Sequence, residues 1–283
     1  MRVLELIGIC CALILSGCGS SSDPITKTPE YIEPLVPAPT SASSIQAQSF
    51  IVIDMITGRV LAERNARTPR AVASTQKLLT ALCVYKSGSL EDPVTVVHSD
   101  TQVEPSKIGF AVGETYTRRD LLKALLVRSG NDVARALARD VSGSQLGFVD
   151  YMNRTAASLG MKNSSFLNPH GLTVDGQYST ALDIAVLARE VTKVPFFREC
   201  MRTREYLFQF ADGRTKTLEN TNKVLKRYPY CTGMKTGYTR AAGRCLVSSG
   251  VLNGRGIIVV ALGSTSQEIW KDSEKLLRRY LEG

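Results

Sequence analysis

Histidine is scarce in this chain, because its 283 residues include only His98 and His170. Protein zinc sites draw on histidine and cysteine at short, regular spacings. The two histidines and seven cysteines of this chain show no such spacing. We therefore expect no metal site and no cofactor.

Aromatic residues are also few, at 7% of the chain, while lysine and arginine give a formal net charge of +9. Nucleic-acid-binding domains usually cluster their cations and carry a recognisable motif. Here the cations are dispersed and no such motif occurs, so we expect no nucleic-acid partner. The charge favours anionic surroundings such as phospholipid head groups, with a simply solvated basic surface as the alternative.

The apolar run at residues 6–17 is too short to span a bilayer comfortably and is typical of a signal-peptide core. It ends in Leu15-Ser16-Gly17-Cys18, which resembles the bacterial lipobox. That resemblance implies cleavage before Cys18 and lipid on its thiol. The protein would then be an exported bacterial lipoprotein, anchored by its N-terminal lipid on the periplasmic or extracytoplasmic side. A plain secretory signal or an uncleaved anchor is the alternative.

The stretch that follows is rich in serine and proline and has almost no apolar periodicity. Such a composition does not support a packed core and is typical of a disordered tether. We therefore predict a signal peptide at residues 1–17, a lipidated N-terminus and linker at 18–47, and a folded domain at 48–283.

Four cysteines lie in that domain, and an exported protein is able to form disulfides. Two of them, Cys83 and Cys245, fall in apolar patterns and are expected in the core. The other two, Cys200 and Cys231, fall in loop-like stretches. The sequence leaves open whether this second pair forms a disulfide or all four thiols are free.

Apolar periodicity divides the domain into strands at both ends and helices between them. The pattern predicts two strands flanking Thr57-Gly58, a helix that begins near Ser74, mostly helix over 118–192, and strands after Pro195. The later strands are predicted at 204–210, 214–218, 232–238, 244–249 and 256–262, followed by a closing helix at 267–281. We therefore expect an antiparallel sheet built from both chain ends, with the middle inserted as a helical lobe.

Three short motifs stand in order along the chain: Ser74-Thr75-Gln76-Lys77, Ser129-Gly130-Asn131 and Lys235-Thr236-Gly237. Residues three apart on a helix lie side by side, so the first motif places a hydroxyl beside an amine. A serine nucleophile needs such a neighbouring base. A lysine serves as that base when burial or a second cation lowers its pKa. Each motif alone is weak, but the ordered set predicts acyl transfer through a serine ester.

Other segments extend the pattern and carry a family resemblance. The chain resembles the low-molecular-mass penicillin-binding proteins that act as serine D-alanyl-D-alanine carboxypeptidases, which carry a related motif set. Beyond the motifs, the resemblance rests on residues 54–61, Asp132, Asn168-Pro169-His170-Gly171-Leu172, residues 178–181, Asn220-Thr221-Asn222, and residues 233–239.

The resemblance implies an α+β fold of the β-lactamase/transpeptidase-like type. In this fold helices cover a five-stranded antiparallel sheet, a helical lobe is inserted, and the active site lies in the cleft. It further implies a penicillin-sensitive D,D-carboxypeptidase that removes the terminal D-Ala from peptidoglycan stem peptides and is acylated by β-lactam antibiotics.

The resemblance also implies residue roles, with Ser74 as nucleophile, Lys77 as general base and Ser129 as proton relay. The oxyanion hole would use the backbone N–H groups of Ser74 and Tyr238. The expected substrate-binding residues are Asn131, His170, Lys235, Thr236, Gly237 and Tyr238.

Two positions depart from the patterns of relatives. Many relatives carry an arginine that receives the substrate carboxylate where this chain has Thr221, and Lys223 or Arg240 are candidate replacements. Class A β-lactamases place a deacylating glutamate where this chain has Ser164. A β-lactamase is therefore disfavoured. A D,D-endopeptidase that cuts cross-links and a non-catalytic wall-binding lipoprotein are the remaining alternatives.

Overall fold

The computed structural model describes residues 44–283. Its strands are β1 (Ser49–Asp54), β2 (Val60–Arg64), β3 (Pro93–Thr95), β4 (Thr115–Thr117), β5 (Glu205–Gln209), β6 (Thr215–Glu219), β7 (Cys231–Thr239), β8 (Gly243–Leu252) and β9 (Arg255–Ser264). Its α-helices are α1 (Lys77–Lys86), α2 (His98–Thr101), α3 (Arg118–Arg128), α4 (Asn131–Ser142), α5 (Gln145–Ser158), α6 (Ala181–Thr192), α7 (Pro195–Arg202), α8 (Val224–Arg227) and α9 (Glu268–Glu282). A short 3₁₀ helix, Ala73–Gln76, leads into α1.

The central sheet has five antiparallel strands in the order β2-β1-β9-β8-β7. Strands from the start of the domain thus pair with strands from its end, which confirms the predicted sheet. Strand β7 lies at one edge, so part of its backbone is not paired within the sheet.

Strand β9 is buried on both faces because helices cover both sides of the sheet. Alternate side chains point to opposite faces of a strand. Accordingly, Ile258 and Val260 belong to the large apolar cluster under α1 and α6. Their neighbours Ile257 and Val259 belong to a second cluster under α9. This double burial explains why β9 is a continuous apolar run rather than an alternating one.

The inserted lobe contains the helices α2 to α5, and α6 packs on β1 and β9 of the sheet. Together these helices confirm the predicted helical middle of the chain. The structure differs at residues 195–202, which the sequence pattern treated as a loop-like stretch and which form α7. Proline is favoured in the first turn of a helix, where its missing N–H is not needed. Helix α7 also buries Phe197 and Met201 on one face, which anchors it to the core.

The cysteines of the domain are all buried free thiols. Cys200 lies in α7 and Cys231 begins β7, so neither lies in the loop that the sequence suggested. Burial raises the pKa of the Cys200 thiol to about 12 and that of the Cys231 thiol to about 11. Of the two alternatives that the sequence left open, the structure therefore shows four free thiols.

The packed domain includes residues just before the predicted boundary at 48. Ile45 and Ala47 are buried against α9. The carboxylate of Asp272 accepts hydrogen bonds from the backbone N–H groups of Gln46 (2.9 Å) and Ala47 (2.8 Å). The predicted signal peptide, Cys18 and nearly all of the linker lie outside the described residues. Within residues 44–283, no helix combines the length and apolarity needed to cross a bilayer.

Candidate active site

The 3₁₀ turn and the start of α1 bring Ser74 and Lys77 together, as their spacing predicted. The Lys77 Nζ lies 2.9 Å from the Ser74 Oγ. It also lies 2.7 Å from the Asn131 Oδ1 and 2.6 Å from the His170 carbonyl oxygen. The Lys77 side chain is fully buried, so water does not compete for these contacts.

Burial lowers the pKa of Lys77 well below its usual value, and the neighbouring Lys235 lowers it further. A buried carboxylate, Asp132, acts in the opposite direction with a smaller effect. A neutral lysine amine has two N–H donors and one lone pair. The Asn131 and His170 oxygens match the two donors, which leaves the lone pair for the Ser74 hydroxyl. The arrangement therefore suits proton transfer from Ser74 to Lys77.

A second lysine, Lys235, is equally buried on β7. Desolvation lowers its pKa to about 7. Its Nζ donates to the Thr236 carbonyl oxygen at 3.0 Å. Two buried amines near one hydroxyl make the surroundings of Ser74 electropositive whenever either is protonated, which favours a developing oxyanion.

Two glycines allow the backbone to close around the nucleophile. A Cβ at Gly237 would lie 2.8 Å from the Ser74 nitrogen, so only glycine lets β7 approach this turn. A Cβ at Gly171 would lie 2.3 Å from the Ala73 carbonyl oxygen, and Gly171 has a φ of +89°. Ala73 itself has a φ of +48°, a strained value for a residue with a side chain. The sequence pattern identified Gly237 but not the need for Gly171.

The junction between α3 and α4 presents the second motif. Ser129 ends α3 in a left-handed conformation with a φ of +70°, and Asn131 begins α4. Asp132 holds this junction in place, because its carboxylate accepts from the backbone N–H groups of Ile108 (2.9 Å) and Gly109 (3.0 Å). Ser129 and Asn131 are thereby brought to the cleft from a separate helix pair.

A cavity of about 740 Å³ contains Ser74 and runs along β7. Its wall includes residues of all three motifs: Ser74, Ser129, Thr236 and Gly237, with Tyr238 beside them. The Thr236 hydroxyl donates to the Thr221 hydroxyl at 2.6 Å. The cleft is therefore open beside an edge strand, where an extended peptide can add to the sheet.

His170 contacts Ser74 and Lys77 through its backbone. Its carbonyl oxygen accepts hydrogen bonds from the Ser74 hydroxyl and the Lys77 amine, and the residue lines a separate cavity of about 280 Å³. Burial, with Lys77 and Arg135 nearby, lowers the pKa of His170 to about 3, so the ring is neutral. This geometry supports positioning of Lys77 by the His170 carbonyl group.

The loop that carries His170 is fixed to the 3₁₀ helix and to α1 by contacts that the sequence did not reveal. Gln76 Nε2 donates to the Asn168 carbonyl oxygen and Thr80 Oγ1 donates to the Pro169 carbonyl oxygen, each at 2.6 Å. The Asn168 Oδ1 accepts from the Gly171 N–H at 2.7 Å. These bonds hold the carbonyl group that contacts Lys77.

Ser164 and Thr221, the two positions that depart from the patterns of relatives, supply no charge to the site. Ser164 donates to the Asp183 carboxylate at 2.7 Å and does not line the main cavity. Thr221 contributes only a hydroxyl. Of its candidate replacements, Lys223 lines the cavity and Arg240 does not. Among residues 44–283, no cluster of three or more His, Cys, Asp or Glu side chains is arranged to hold a metal ion.

Comparison with known proteins identifies the family. The D-alanyl-D-alanine carboxypeptidase family model matches residues 36–266, so the chain belongs to this family of serine peptidases. The fold is also that of a crystal structure of a D-alanyl-D-alanine carboxypeptidase from Mycobacterium tuberculosis. That structure has a TM-score of 0.79 and 33% identity, covering 87% of this chain and 94% of that one.

Two curated relatives carry different names. A D-alanyl-D-alanine carboxypeptidase of Bacillus subtilis is 37% identical over 235 residues, or 81% of this chain. The match spans 60% of the length of that Bacillus protein. A D-alanyl-D-alanine endopeptidase of Escherichia coli is 30% identical over 251 residues, which cover 87% of this chain and 81% of the relative.

Proposed function

We propose that this protein is a penicillin-sensitive serine D,D-carboxypeptidase that removes the terminal D-Ala from peptidoglycan stem peptides. The observation that carries the proposal is the contact between the Ser74 hydroxyl and the buried Lys77 amine, whose two other neighbours are acceptors. Family membership supports the choice of substrate.

In the proposed reaction, Lys77 takes the hydroxyl proton of Ser74 as the Ser74 Oγ attacks the carbonyl carbon of the penultimate D-Ala. The C–N bond then breaks, and the proton passes from Lys77 through Ser129 to the departing amine of the terminal D-Ala. Water next attacks the ester carbonyl and gives up a proton, which restores the Ser74 hydroxyl and releases the shortened peptide. General acid–base catalysis of this kind contributes about 10²- to 10⁴-fold to the rate.

The remaining motif residues are assigned to binding. Substrate would add to the edge of β7, with its amide held by Asn131 and its end near Lys235 and Thr236. The oxyanion would be stabilised by the backbone N–H groups of Ser74 and Tyr238, where one donor typically contributes about 2.7–4 kcal/mol.

The decisive experiment is mass spectrometry of defined muropeptides after incubation with the purified protein. Loss of one D-Ala from a pentapeptide is the expected product, and Ser74→Ala should yield none. Ser87→Ala, an exposed serine at the end of α1, is the matched control. A wild-type protein that leaves the pentapeptide intact would contradict the proposal.

A D,D-endopeptidase is the second candidate, because the Escherichia coli relative carries that name. The same serine chemistry would then cut the cross-link between two stem peptides. Incubation with cross-linked dimers separates the two, since an endopeptidase converts dimer to monomer faster than it trims pentapeptide.

β-Lactam antibiotics are proposed as covalent inhibitors rather than as rapidly hydrolysed substrates. Ser164 offers no carboxylate and instead bonds to Asp183, away from the main cavity. Intact-protein mass spectrometry should detect a long-lived penicilloyl adduct on the wild type and none on Ser74→Ala. Rapid loss of the adduct would favour a β-lactamase. A wild type that never forms it would favour a non-catalytic wall-binding lipoprotein.

We further propose that the protein is exported and anchored through lipid on Cys18. The support is the lipobox-like sequence before Cys18 and the serine- and proline-rich stretch after it. Detergent partitioning of the wild type and Cys18→Ala should differ, with only the wild type in the detergent phase. Equal partitioning of both into the aqueous phase would contradict the lipid anchor.

A further inference from the structure

The main cavity is lined by many more cations than anions. Among the described residues, Glu219 supplies its only lining carboxylate. Its lining cations are Arg128, Lys223, Lys226, Arg227 and Arg244. A cleft of one charge sign attracts a ligand of the opposite sign, so the question is which cation is available to bind it.

Three of these cations already have partners. The Lys226 Nζ lies 3.8 Å from both Glu205 and Glu219 carboxylates. The Arg244 Nε donates to the Ser266 hydroxyl at 3.0 Å, and its guanidinium lies over the Tyr238 ring at 4.4 Å.

The third, Lys223, has its Nζ over the Trp270 ring at 5.7 Å. Within residues 44–283, Arg128 and Arg227 make neither an ion pair nor a side-chain hydrogen bond. These two guanidinium groups therefore keep all their donors for a ligand.

Position separates the two free arginines. Arg128 is the last residue of α3 and directly precedes Ser129. The neighbouring Val127 carbonyl oxygen accepts from the Thr221 N–H at 3.2 Å, and Thr221 in turn is bonded to Thr236. Arg128 therefore stands on the wall that faces the third motif. Arg227 lies on the separate helix α8, beyond Thr221 along the chain.

The lysine of the third motif is poorly suited to hold an anion by itself. Lys235 is completely buried, and its Nζ already donates to the Thr236 carbonyl oxygen. Desolvation also lowers its pKa to about 7, so near neutral pH much of it is uncharged. An exposed arginine stays charged at every working pH and offers a planar fork that fits a carboxylate.

We propose that Arg128 binds the C-terminal carboxylate of the substrate and makes the enzyme selective for peptides with a free C-terminus. This inference rests on the proposed function, because the terminal D-Ala of a stem peptide carries that carboxylate. Arg128 would thereby supply the charge that Thr221 does not, in place of Lys223 or Arg240.

The test compares two peptides that end in D-Ala-D-Ala, one with a free C-terminal carboxylate and one with a C-terminal carboxamide. Release of D-Ala or D-alaninamide is measured to give kcat and KM separately. Arg128→Gln should lower kcat/KM for the free carboxylate about 10- to 100-fold, as expected for losing a charged hydrogen bond. The loss should fall mainly on KM, and kcat/KM for the carboxamide should not change.

Arg128→Lys should restore part of the lost affinity, because lysine returns the positive charge but not the paired N–H donors of the guanidinium group. Arg240→Gln is the matched control, since Arg240 is exposed near the third motif but does not line the cavity. It should leave both peptides unaffected. An equal loss on both peptides in Arg128→Gln, no loss at all, or a carboxylate-specific loss in Arg240→Gln or Lys223→Gln would overturn the inference.

Failure of the proposed function gives a different result. A wild type that releases nothing from either peptide contradicts the carboxypeptidase proposal, and Arg128 is then tested by acylation of Ser74. The probes are a penicillin with its free carboxylate and the methyl ester of the same penicillin. Slower acylation of Arg128→Gln by the free acid alone supports carboxylate binding, and equal slowing with both probes overturns it.

Discussion

The two faces of the central sheet bury charged groups in opposite ways. On the face covered by α9, the carboxylate of Asp272 accepts from two backbone N–H groups and from the Ser264 hydroxyl (3.1 Å). Toward the cleft, the amines of Lys77 and Lys235 are just as buried and repel each other when charged. Neither amine has a carboxylate within ion-pair distance among the described residues.

The hydrogen-bonded carboxylate contributes to stability, whereas the buried amines contribute to reactivity. A buried charge that is fully hydrogen-bonded fixes the chain around it, and Asp272 holds the first residues of the domain to its last helix. A buried amine without a carboxylate partner loses its proton more readily. In the cleft this makes Lys77 a base, at the expense of stability. Four substitutions test this comparison, from the largest expected effect to the smallest.

Lys77→Arg should have the largest effect. Arginine keeps the positive charge but does not release its proton in the working range, so penicillin acylation should slow by about 10²- to 10⁴-fold. Stopped-flow labelling with a fluorescent penicillin measures this rate. Lys86→Arg, on an exposed residue of the same helix, should label at the wild-type rate. An active Lys77→Arg protein would show that Lys77 contributes only charge.

Leu277→Ala tests the opposite face. Leu277 is fully buried in the cluster under α9, and truncating a buried leucine typically costs about 2–5 kcal/mol of unfolding free energy. Urea denaturation should show this loss, while the folded variant labels with penicillin normally. Leu207→Ala, at a leucine that is 62% exposed, is the control. Slow labelling by folded Leu277→Ala would show that the two faces are coupled.

Lys235→Met should stabilise the protein and slow acylation. Below pH 7 the folded protein buries a charged amine, whereas above about pH 10.5 Lys235 is neutral in both folded and unfolded states. The variant should therefore be more stable by up to about 5 kcal/mol at pH 6, and the difference should vanish as the pH approaches 10.5. Thermal denaturation across this range measures it, with the exposed Lys162→Met as control. A stability difference independent of pH would contradict the assigned cause.

Asp272→Asn should have the smallest effect. The amide keeps one acceptor oxygen but loses the charge and the second acceptor, which we expect to cost about 2 kcal/mol of unfolding free energy. Urea denaturation provides the measurement, and Asp150→Asn on the exposed side of α5 is the control. An unchanged midpoint would show that Asp272 does not hold the N-terminal residues in place.

Much of the fold was predictable because its signals are local. Strands β1, β2, β8 and β9 follow from runs of apolar and β-branched residues, and α9 from apolar residues at helical spacing. Helix α7 was not predicted, because the pattern after Pro195 indicated a change to strands and Cys200 fell in a loop-like stretch. The packing of Phe197 and Met201 against the core decides it instead.

The sequence by itself determined the order of the three motifs, the pairing of Ser74 with Lys77 and the sheet made from both chain ends. Only the tertiary structure decided what surrounds Lys77. The His170 carbonyl group that binds it is 93 residues away in the chain, and the Asn131 amide is 54 residues away. The need for glycine at position 171 and the presence of Arg128 and Thr236 in the wall of one cavity are likewise long-range. A local pattern records neighbours along one helix or strand, whereas desolvation and the directions of backbone groups depend on segments that meet only after folding.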